Sequence, residues 1–341
     1  MMTMNPIESR YKGLWGAIAH LSIVLPLLLT LLLLCGCRHR LFTMPDTGGV
    51  EVQVIYDWES TVTELPKQMS LYLFPVDAGG VKRGGMMRFD SADPKGHVIA
   101  VRPGLYHAIC VNSDVRGTYM RGDDFEHFLV TTQENRLLLN RLLSMPAVSV
   151  PRARGTEDEK VMELPDLLYS DRVRSFEVLA PESGTTLHQT LVMRPRKVTT
   201  TLRVMIDRIK NSRHLAKLTG TLTGLATGLH LSGPTATETL ATLPFALAKE
   251  GEGATATVES FGPAGGGGPM RHVLVVYAIL DSGESFKGEY DVTDLIRQAP
   301  DPLNRTIHIP LLELPTPIYT GKKDPIQVEQ WKEVKVPLPM W

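Results

Sequence analysis

Cysteine is scarce in this sequence, and its three cysteines provide no basis for a disulfide framework. Cys35 and Cys37 lie at the end of an apolar N-terminal segment, so Cys110 is the single cysteine of the remaining chain. One thiol cannot form an intrachain disulfide there. Because Cys110 lies in an apolar run, the sequence favours a small buried side chain over a catalytic thiol.

A surplus of basic charge is also absent. The chain has 36 Lys and Arg against 37 Asp and Glu, which gives a formal net charge of -1. Nucleic-acid binding depends on a basic surplus, so no nucleic-acid partner is predicted. With 341 residues, 43% of them hydrophobic and 21% charged, the chain has the composition of a globular protein and the length for two domains.

The sequence has no motif of a known catalytic or metal site. Its ten histidines show no His-x-x-x-His spacing, and neither Gly-x-Ser-x-Gly nor His-Glu-x-x-His occurs. The acidic cluster 123–127 contains His127, but a solvated loop is favoured there over a metal site. We therefore expect no catalytic residues, metal, cofactor or small-molecule substrate, and a protein that is not an enzyme.

The most specific sequence motif of the chain lies near the N-terminus. Arg10 and Lys12 precede the apolar run 21–34, which has the length of a signal-peptide core and is shorter than a membrane span. The sequence Leu-Cys-Gly-Cys at 34–37 resembles a bacterial lipobox, in which the thiol of Cys37 receives the lipid. Two alternatives are a signal peptide cleaved without lipidation and an uncleaved helix that includes residues 13–20.

Lipidation predicts a division of the first part of the chain. Residues 1–36 form a lipoprotein signal peptide, and residues 37–48 form a lipidated tether that holds the protein to a membrane. Residue 38 is Arg, so the Asp that retains enterobacterial lipoproteins in the inner membrane is missing. The outer membrane is the expected location, and the leaflet stays open.

The rest of the chain has the residue pattern typical of many short strands joined by turns. The segment 50–56 alternates apolar and polar residues, as a half-buried strand does. Segments 133–143 and 207–215 are predicted to be helical, and Arg102-Pro103-Gly104 is predicted to turn a hairpin between two strands. Further strands are predicted at 69–74, 97–101, 106–112, 187–193, 199–206, 254–261, 273–280, 286–292, 306–309 and 327–338.

A second alternation begins after 194–197, which places a predicted boundary between an N-terminal β-sandwich at 49–193 and a C-terminal β-sandwich at 194–341. The predicted fold class is all-β, with two antiparallel sandwiches in series.

Several short motifs follow one another along the chain, at 37–39, 56–58, 104–106, 112–114, 165–169, 191–195, 327–331 and 334–338. In this order they resemble the Bacteroidetes fimbrial anchor lipoproteins (the FimB-like, fimbrillin-associated group) and their uncharacterised relatives. The resemblance implies transthyretin-like sandwiches and a role as anchor or accessory subunit in assembly of a fimbria (type V pilus). It also implies contact with fimbrillin subunits through strand exchange, in which a strand from one subunit completes a sheet of the next.

A different class of function remains open, namely a surface lipoprotein that binds a glycan or a host protein. Two short motifs bear on it. Arg121-Gly122-Asp123 is an RGD tripeptide of the kind that binds integrins, although this tripeptide also recurs by chance. Asp90-Ser91-Ala92 matches the short O-glycosylation pattern of Bacteroidetes, which makes Ser91 a candidate modification site.

Overall fold

The computed structural model describes residues 49–145, 150–181, 188–266, 270–318 and 331–334. The described residues all belong to one compact unit. In chain order the elements are β1 (Val50–Tyr56), β2 (Met69–Val76), β3 (Met87–Ser91), β4 (Gly96–Val101), β5 (Gly104–Asn112), β6 (Thr118–Arg121), β7 (Leu129–Thr132), α1 (Leu138–Leu143), β8 (Lys160–Val161), β9 (Tyr169–Val178), β10 (Gln189–Met193), β11 (Arg196–Lys197), β12 (Thr200–Lys210), a 3-10 turn (Ser212–His214), β13 (Leu215–Ala226), β14 (Gly228–His230), β15 (Thr235–Ala236), β16 (Leu240–Ala246), β17 (Ala248–Glu250), β18 (Gly253–Ser260), β19 (Val273–Leu280), β20 (Ser285–Asp291), α2 (Thr293–Arg297), β21 (Asn304–Glu313) and β22 (Trp331–Val334).

The first sandwich consists of two sheets that face each other. Sheet I has the order β10-β1-β4, and sheet II has the order β11-β9-β5-β2-β3. Alternate residues of β1 point into the core, as its sequence predicts, and meet the inward side chains of β2 and β5. Cys110 lies in this core and is fully buried.

The outer face of sheet II is covered by a third layer, sheet III, with the order β15-β14-β7-β6. Phe128 lies between the layers, with its ring 4.6 Å from that of Tyr72 and 5.3 Å from that of Phe74. Sheet III combines two strands from each half of the chain, because β7 pairs with β14 through Val130 and Leu229. The central strands of sheet II, β2 and β5, are therefore buried on both faces.

The second sandwich consists of sheet IV, with the order β17-β18-β12-β21, and sheet V, with the order β22-β20-β19-β13-β16-β8. Its core is the largest cluster of buried apolar residues, and it includes Leu202, Val204, Leu222, Leu274 and Val276.

A segment of the first half covers the outer face of sheet V. We call residues 133–145 and 150–163 the crossing segment. Its buried residues Leu143 and Val150 pack on Val275 and Tyr277 of β19, and the Tyr277 hydroxyl donates to the Pro151 carbonyl at 2.8 Å. The segment ends as β8, which pairs in parallel with β16 at the edge of sheet V. Both halves of the chain thus contribute to sheets III and V.

The all-β prediction with β-sandwich domains is confirmed. The ladders are mainly antiparallel, and the described part of the chain also contains four parallel pairs, namely β1 with β10, β12 with β21, β16 with β8, and β20 with β22. Each parallel pair joins strands that are distant in the sequence, as parallel pairing requires. The boundary between residues 193 and 194 remains a prediction, and β11 directly after it pairs with β9 of sheet II.

Three local predictions are wrong. Residues 207–215 are not a helix, because β12 continues to Lys210 and β13 begins at Leu215 after one 3-10 turn. The helix predicted at 133–143 is limited to Leu138–Leu143. The strands around Arg102-Pro103-Gly104 do not form a hairpin, because β4 belongs to sheet I and β5 to sheet II.

Candidate functional site

The predicted lipid attachment residue, Cys37, lies outside the described residues, together with the signal peptide at 1–36 and the tether at 37–48. Lipidation of Cys37 therefore stays a prediction. Of the predicted final strand at 327–338, the structure describes Trp331–Val334, which form β22.

Three of the motifs behind the family resemblance, at 56–58, 112–114 and 165–169, meet at one end of the first sandwich. Asn112, at the end of β5, accepts a hydrogen bond from the Tyr169 amide at 2.8 Å and donates to the Leu167 carbonyl at 3.1 Å. The Trp58 ring lies edge-on to the Tyr169 ring, with centroids 5.5 Å apart. Because backbone groups bind the Asn112 amide, this side chain joins the end of β5 to the start of β9.

The first candidate interaction site is the edge of sheet V at β20. Here β22 pairs in parallel with Ser285–Gly288, and the remaining residues of β20, up to Asp291, have no strand beside them on this side within the described part of the chain. A strand edge presents backbone N–H and C=O groups to which another strand can pair.

Side chains hold β22 at this edge. The Trp331 ring packs edge-on against Tyr277 of the neighbouring strand β19. Lys332 forms an ion pair with Glu284 at 2.7 Å, and Glu333 lies 3.5 Å from the Lys287 ammonium. β22 is thus held by the aromatic contact, by Val334, which packs on the second core, and by two charge pairs. In each pair the residue of β22 is exposed, whereas its partner, Glu284 or Lys287, is 17% or 12% exposed.

The second candidate site is a cavity of about 500 Å³ between the crossing segment and sheet V. Outward residues of β13 and β16 form its floor, including Thr221, Thr223, Thr242 and Pro244. The crossing segment supplies its walls from α1 and from the chain at 150–161. The cavity is within the size range of small-molecule sites.

A chain of polar contacts lies at the centre of this cavity. Arg152 donates to the Thr242 hydroxyl at 2.9 Å, and that hydroxyl donates to the Glu159 carboxylate at 2.7 Å. The Gly224 amide also lies 3.2 Å from both Glu159 oxygens. Arg152 Nε is buried without a hydrogen-bond partner in the described structure.

Burial raises the pKa of Glu159 above the usual value of a glutamate, although the hydrogen bonds from Thr242 and Gly224 and the charge of Arg152 act in the opposite direction. Sequence reasoning missed this group of residues. Arg152 and Glu159 belong to one half of the chain and Thr242 to the other, so no local motif indicated that they meet.

The RGD tripeptide lies at the tip between β6 and β7. Arg121 is the exposed last residue of β6, and Asp123 forms an ion pair with Lys82 at 2.6 Å. Gly122 has φ +99°, and a Cβ there would lie 2.6 Å from the His127 carbonyl oxygen. The backbone conformation and the close approach therefore require glycine at position 122, whether or not the tripeptide binds a receptor.

The other residues singled out in the sequence have local partners. The Ser91 hydroxyl donates to the Asp93 carbonyl at 3.1 Å, so it takes part in a turn. His107 accepts from the Ser175 amide at 3.2 Å, and His308 lies 2.7 Å from an Asp207 oxygen. Burial raises the pKa of the Cys110 thiol well above its usual value.

Within the described ranges, no three His, Cys, Asp or Glu side chains are grouped as metal ligands would be. The same ranges contain no helix with both the length and the apolar character that a membrane crossing requires.

The sequence profile of a domain of unknown function, DUF5119, matches residues 36–246. The chain belongs to the DUF5119 family. The matched region begins next to Cys37 and ends with β16, so it includes the first sandwich, the crossing segment and the two strands, β13 and β16, that form the cavity floor. No curated protein sequence matches the chain.

Among solved structures, this DUF5119 protein is similar to a candidate adhesin from Bacteroides ovatus ATCC 8483, with a TM-score of 0.54, 17% identity, and coverage of 89% of this chain and 99% of that one. This score supports a shared fold. The fimbrial anchor protein Mfa2 from Porphyromonas gingivalis aligns with a TM-score of 0.45 and 13% identity over 76% of this chain and 89% of that one. A candidate polysaccharide binding protein (DUF1812) from Bacteroides thetaiotaomicron VPI-5482 aligns with a TM-score of 0.45 and 10% identity, over 76% and 90%.

Proposed function

We propose that this protein is a lipoprotein of the cell envelope, held at the outer membrane by lipid on Cys37, that acts as an anchor or accessory subunit in fimbria (type V pilus) assembly. The observation that carries the proposal is the Leu-Cys-Gly-Cys sequence at 34–37, placed directly before an all-β body. Lipid at this position attaches the chain next to its first sandwich. Residues 38–48 then separate the lipid from β1.

The proposed contact with fimbrillin subunits is strand exchange at the edge of sheet V. The position of β22 supports this choice, because β20 already accepts a strand from a distant part of the chain. Backbone hydrogen bonds at such an edge provide affinity, and alternate side chains provide specificity. The edge belongs to the second sandwich, which follows the lipid-bearing end of the chain by more than two hundred residues.

Metabolic labelling with an alkyne analogue of palmitate tests the lipid anchor. Cys37→Ala is expected to abolish the label and to release the protein from the membrane fraction. Cys35→Ala is the matched control, because alanine keeps a small residue at that position, and the label should be retained. Label that persists in Cys37→Ala would reject the attachment site.

Photo-crosslinking in fimbriated cells tests the partner contact. A photoreactive residue at Glu289, in the part of β20 beyond β22, is expected to give an adduct with a fimbrial subunit. The control position is Ala100, an exposed residue of β4 in the first sandwich. Adducts at position 100 and none at position 289 would place the contact on the first sandwich and overturn this part of the proposal.

A second candidate function, capture of a glycan at the cell surface, is favoured by the polar cavity between the crossing segment and sheet V. It requires no fimbria, and the two functions are separable by experiment.

A further inference from the structure

The cavity between the crossing segment and sheet V has a lining that selects against most ligand classes. Four carboxyl side chains and three basic ones line it, so an anionic ligand such as a phosphate ester meets no positive surplus. The threonine floor and the charged walls also disfavour an acyl chain, because burial of unpaired polar groups against apolar matter is costly.

A cationic ligand is disfavoured because Arg136, Arg152 and Lys160 line the same cavity, and three of its four carboxyl groups already accept hydrogen bonds from protein donors. Glu134 pairs with Arg136 at 2.9 Å, and Glu159 is bound by the Thr242 hydroxyl and the Gly224 amide. The Glu157 carboxylate accepts from the Gly155 amide at 3.2 Å. What remains is a neutral ligand that brings many hydroxyl groups.

We propose that this cavity binds a neutral saccharide, with a vicinal pair of sugar hydroxyls held by the Arg152–Thr242–Glu159 group. A carboxylate has about four acceptor positions, and the bonds from Thr242 and Gly224 do not occupy all of them. Arg152 has five guanidinium N–H groups, and three of them donate within the described structure, one from Nη1 and two from Nη2. The second N–H of Nη1 remains available to a ligand, whereas Nε is buried. The donor on Arg152 and the acceptor on Glu159 are linked through the Thr242 hydroxyl, and this pair matches two adjacent hydroxyl groups of a sugar ring.

The remaining lining suits the same ligand. Leu139, Val150 and Ala153 of the crossing segment, together with Pro244 of β16, provide apolar surface for the C–H face of a sugar ring. Leu137 lines the cavity and is 52% exposed, which places it where the cavity meets solvent. A cavity of about 500 Å³ is in the range of sites for small ligands, so it accommodates a terminal sugar unit of a glycan.

The inference rests on the second candidate function, glycan capture, to which it assigns a site and a ligand class. It does not depend on the assembly role, because binding is measured on the purified protein without fimbriae. A cavity that failed to bind sugars would leave the lipid anchor and the strand contact untouched.

Saturation-transfer NMR and calorimetry on the full-length protein in detergent test the proposal. The probes are galactose, mannose, fucose, N-acetylglucosamine, lactose and cellobiose, with sialic acid as the anionic probe and a short lysine peptide as the cationic probe. At least one neutral saccharide is expected to bind. Binding of none of the six, or of the anionic or cationic probe alone, would overturn the proposal.

Two variants locate the binding at the cavity. Glu159→Gln removes the charged acceptor and is expected to weaken saccharide binding by about tenfold or more. Leu137→Trp adds a bulky ring at the exposed rim and is expected to abolish binding without a change in the core. Leu295→Trp, at a leucine of α2 with 37% exposure outside the cavity, is the matched control and should bind as the wild type does. Binding that survives both cavity variants would also overturn the proposal.

Discussion

The rings of Tyr277 and Trp331 meet edge to face, with centroids 5.4 Å apart and planes at 84°. Tyr277 belongs to β19 in the interior of sheet V, whereas Trp331 begins β22 at its edge. This contact anchors β22 together with Val334, which packs on the second core, so loss of the ring removes one of the apolar contacts that hold the strand at the sheet edge.

Trp331→Ala should release β22 from β20. An aromatic pair contributes about 0.5–1.5 kcal/mol beyond the burial of its area. The charged groups on β22 itself, Lys332 and Glu333, are 57% and 70% exposed, so solvent screens the two ion pairs that remain. Hydrogen exchange followed by mass spectrometry should show faster exchange in the peptide that contains Ser285–Gly288. Ile318→Ala, at a residue with 64% exposure, is the control. Unchanged protection of β20 in Trp331→Ala would show that the tryptophan is not the anchor.

The two sandwiches should unfold together. Sheet III contains strands from both halves, and the crossing segment packs on sheet V. Phe128→Ala removes a fully buried ring between sheets II and III and should cost about 3–5 kcal/mol. Calorimetry should show one transition for the wild type and one, at lower temperature, for the variant. Tyr119→Ala in the neighbouring strand β6 should change little because Tyr119 is 48% exposed. Two separate transitions, with only one shifted by Phe128→Ala, would contradict the prediction.

Glu159→Gln should change the pH dependence of stability. The pKa of Glu159 is raised in the folded protein, so the folded state holds this proton more tightly than the unfolded state does. The stabilisation from this group is therefore complete below the unfolded pKa and is lost as the pH rises through the folded pKa. The melting temperature of the variant, relative to wild type, should rise from pH 4 to pH 7. A constant difference across this range would mean that burial does not govern the carboxyl group.

Cys110 should be inert towards thiol reagents in the native protein. Its side chain is fully buried in the first core, and burial raises the pKa of the thiol, so little thiolate exists at pH 8. A chromogenic disulfide reagent should react with Cys110 only after denaturant is added. The test uses the Cys35→Ala, Cys37→Ala double variant, which leaves Cys110 as the single thiol. Rapid reaction without denaturant would show that the core opens readily.

The sequence predicted best those strands that have a clear period or a continuous apolar run. β1 alternates because it buries one face, and Val273–Leu280 is apolar throughout because it is buried on both faces. The sequence predicted poorly a covered strand of mixed composition. β13 lies between the second core and the crossing segment and is buried on both faces, so its Thr-Gly-rich sequence shows no alternation. The hairpin predicted at Arg102–Gly104 is wrong, because the local sequence does not show that the strands on its two sides belong to different sheets.

Sequence patterns did not predict the candidate cavity, for a related reason. Arg152 and Glu159 are residue types that usually lie on a protein surface, and Thr242 lies in a strand that the sequence did not predict. Only the path of the crossing segment over sheet V brings them together. Long-range pairing of this kind leaves no period in the sequence.

The path of the crossing segment also constrains the order in which the protein acquires its structure. During synthesis residues 133–163 are made before the strands of sheet V on which they lie, so their apolar side chains have no partner until β19 at Val273–Leu280 exists. Contacts between such distant residues slow folding and leave apolar surface exposed in the incomplete chain. A nascent chain that stops short of β19 is therefore a candidate client for chaperones, and truncations before residue 280 should aggregate rather than yield a soluble first half.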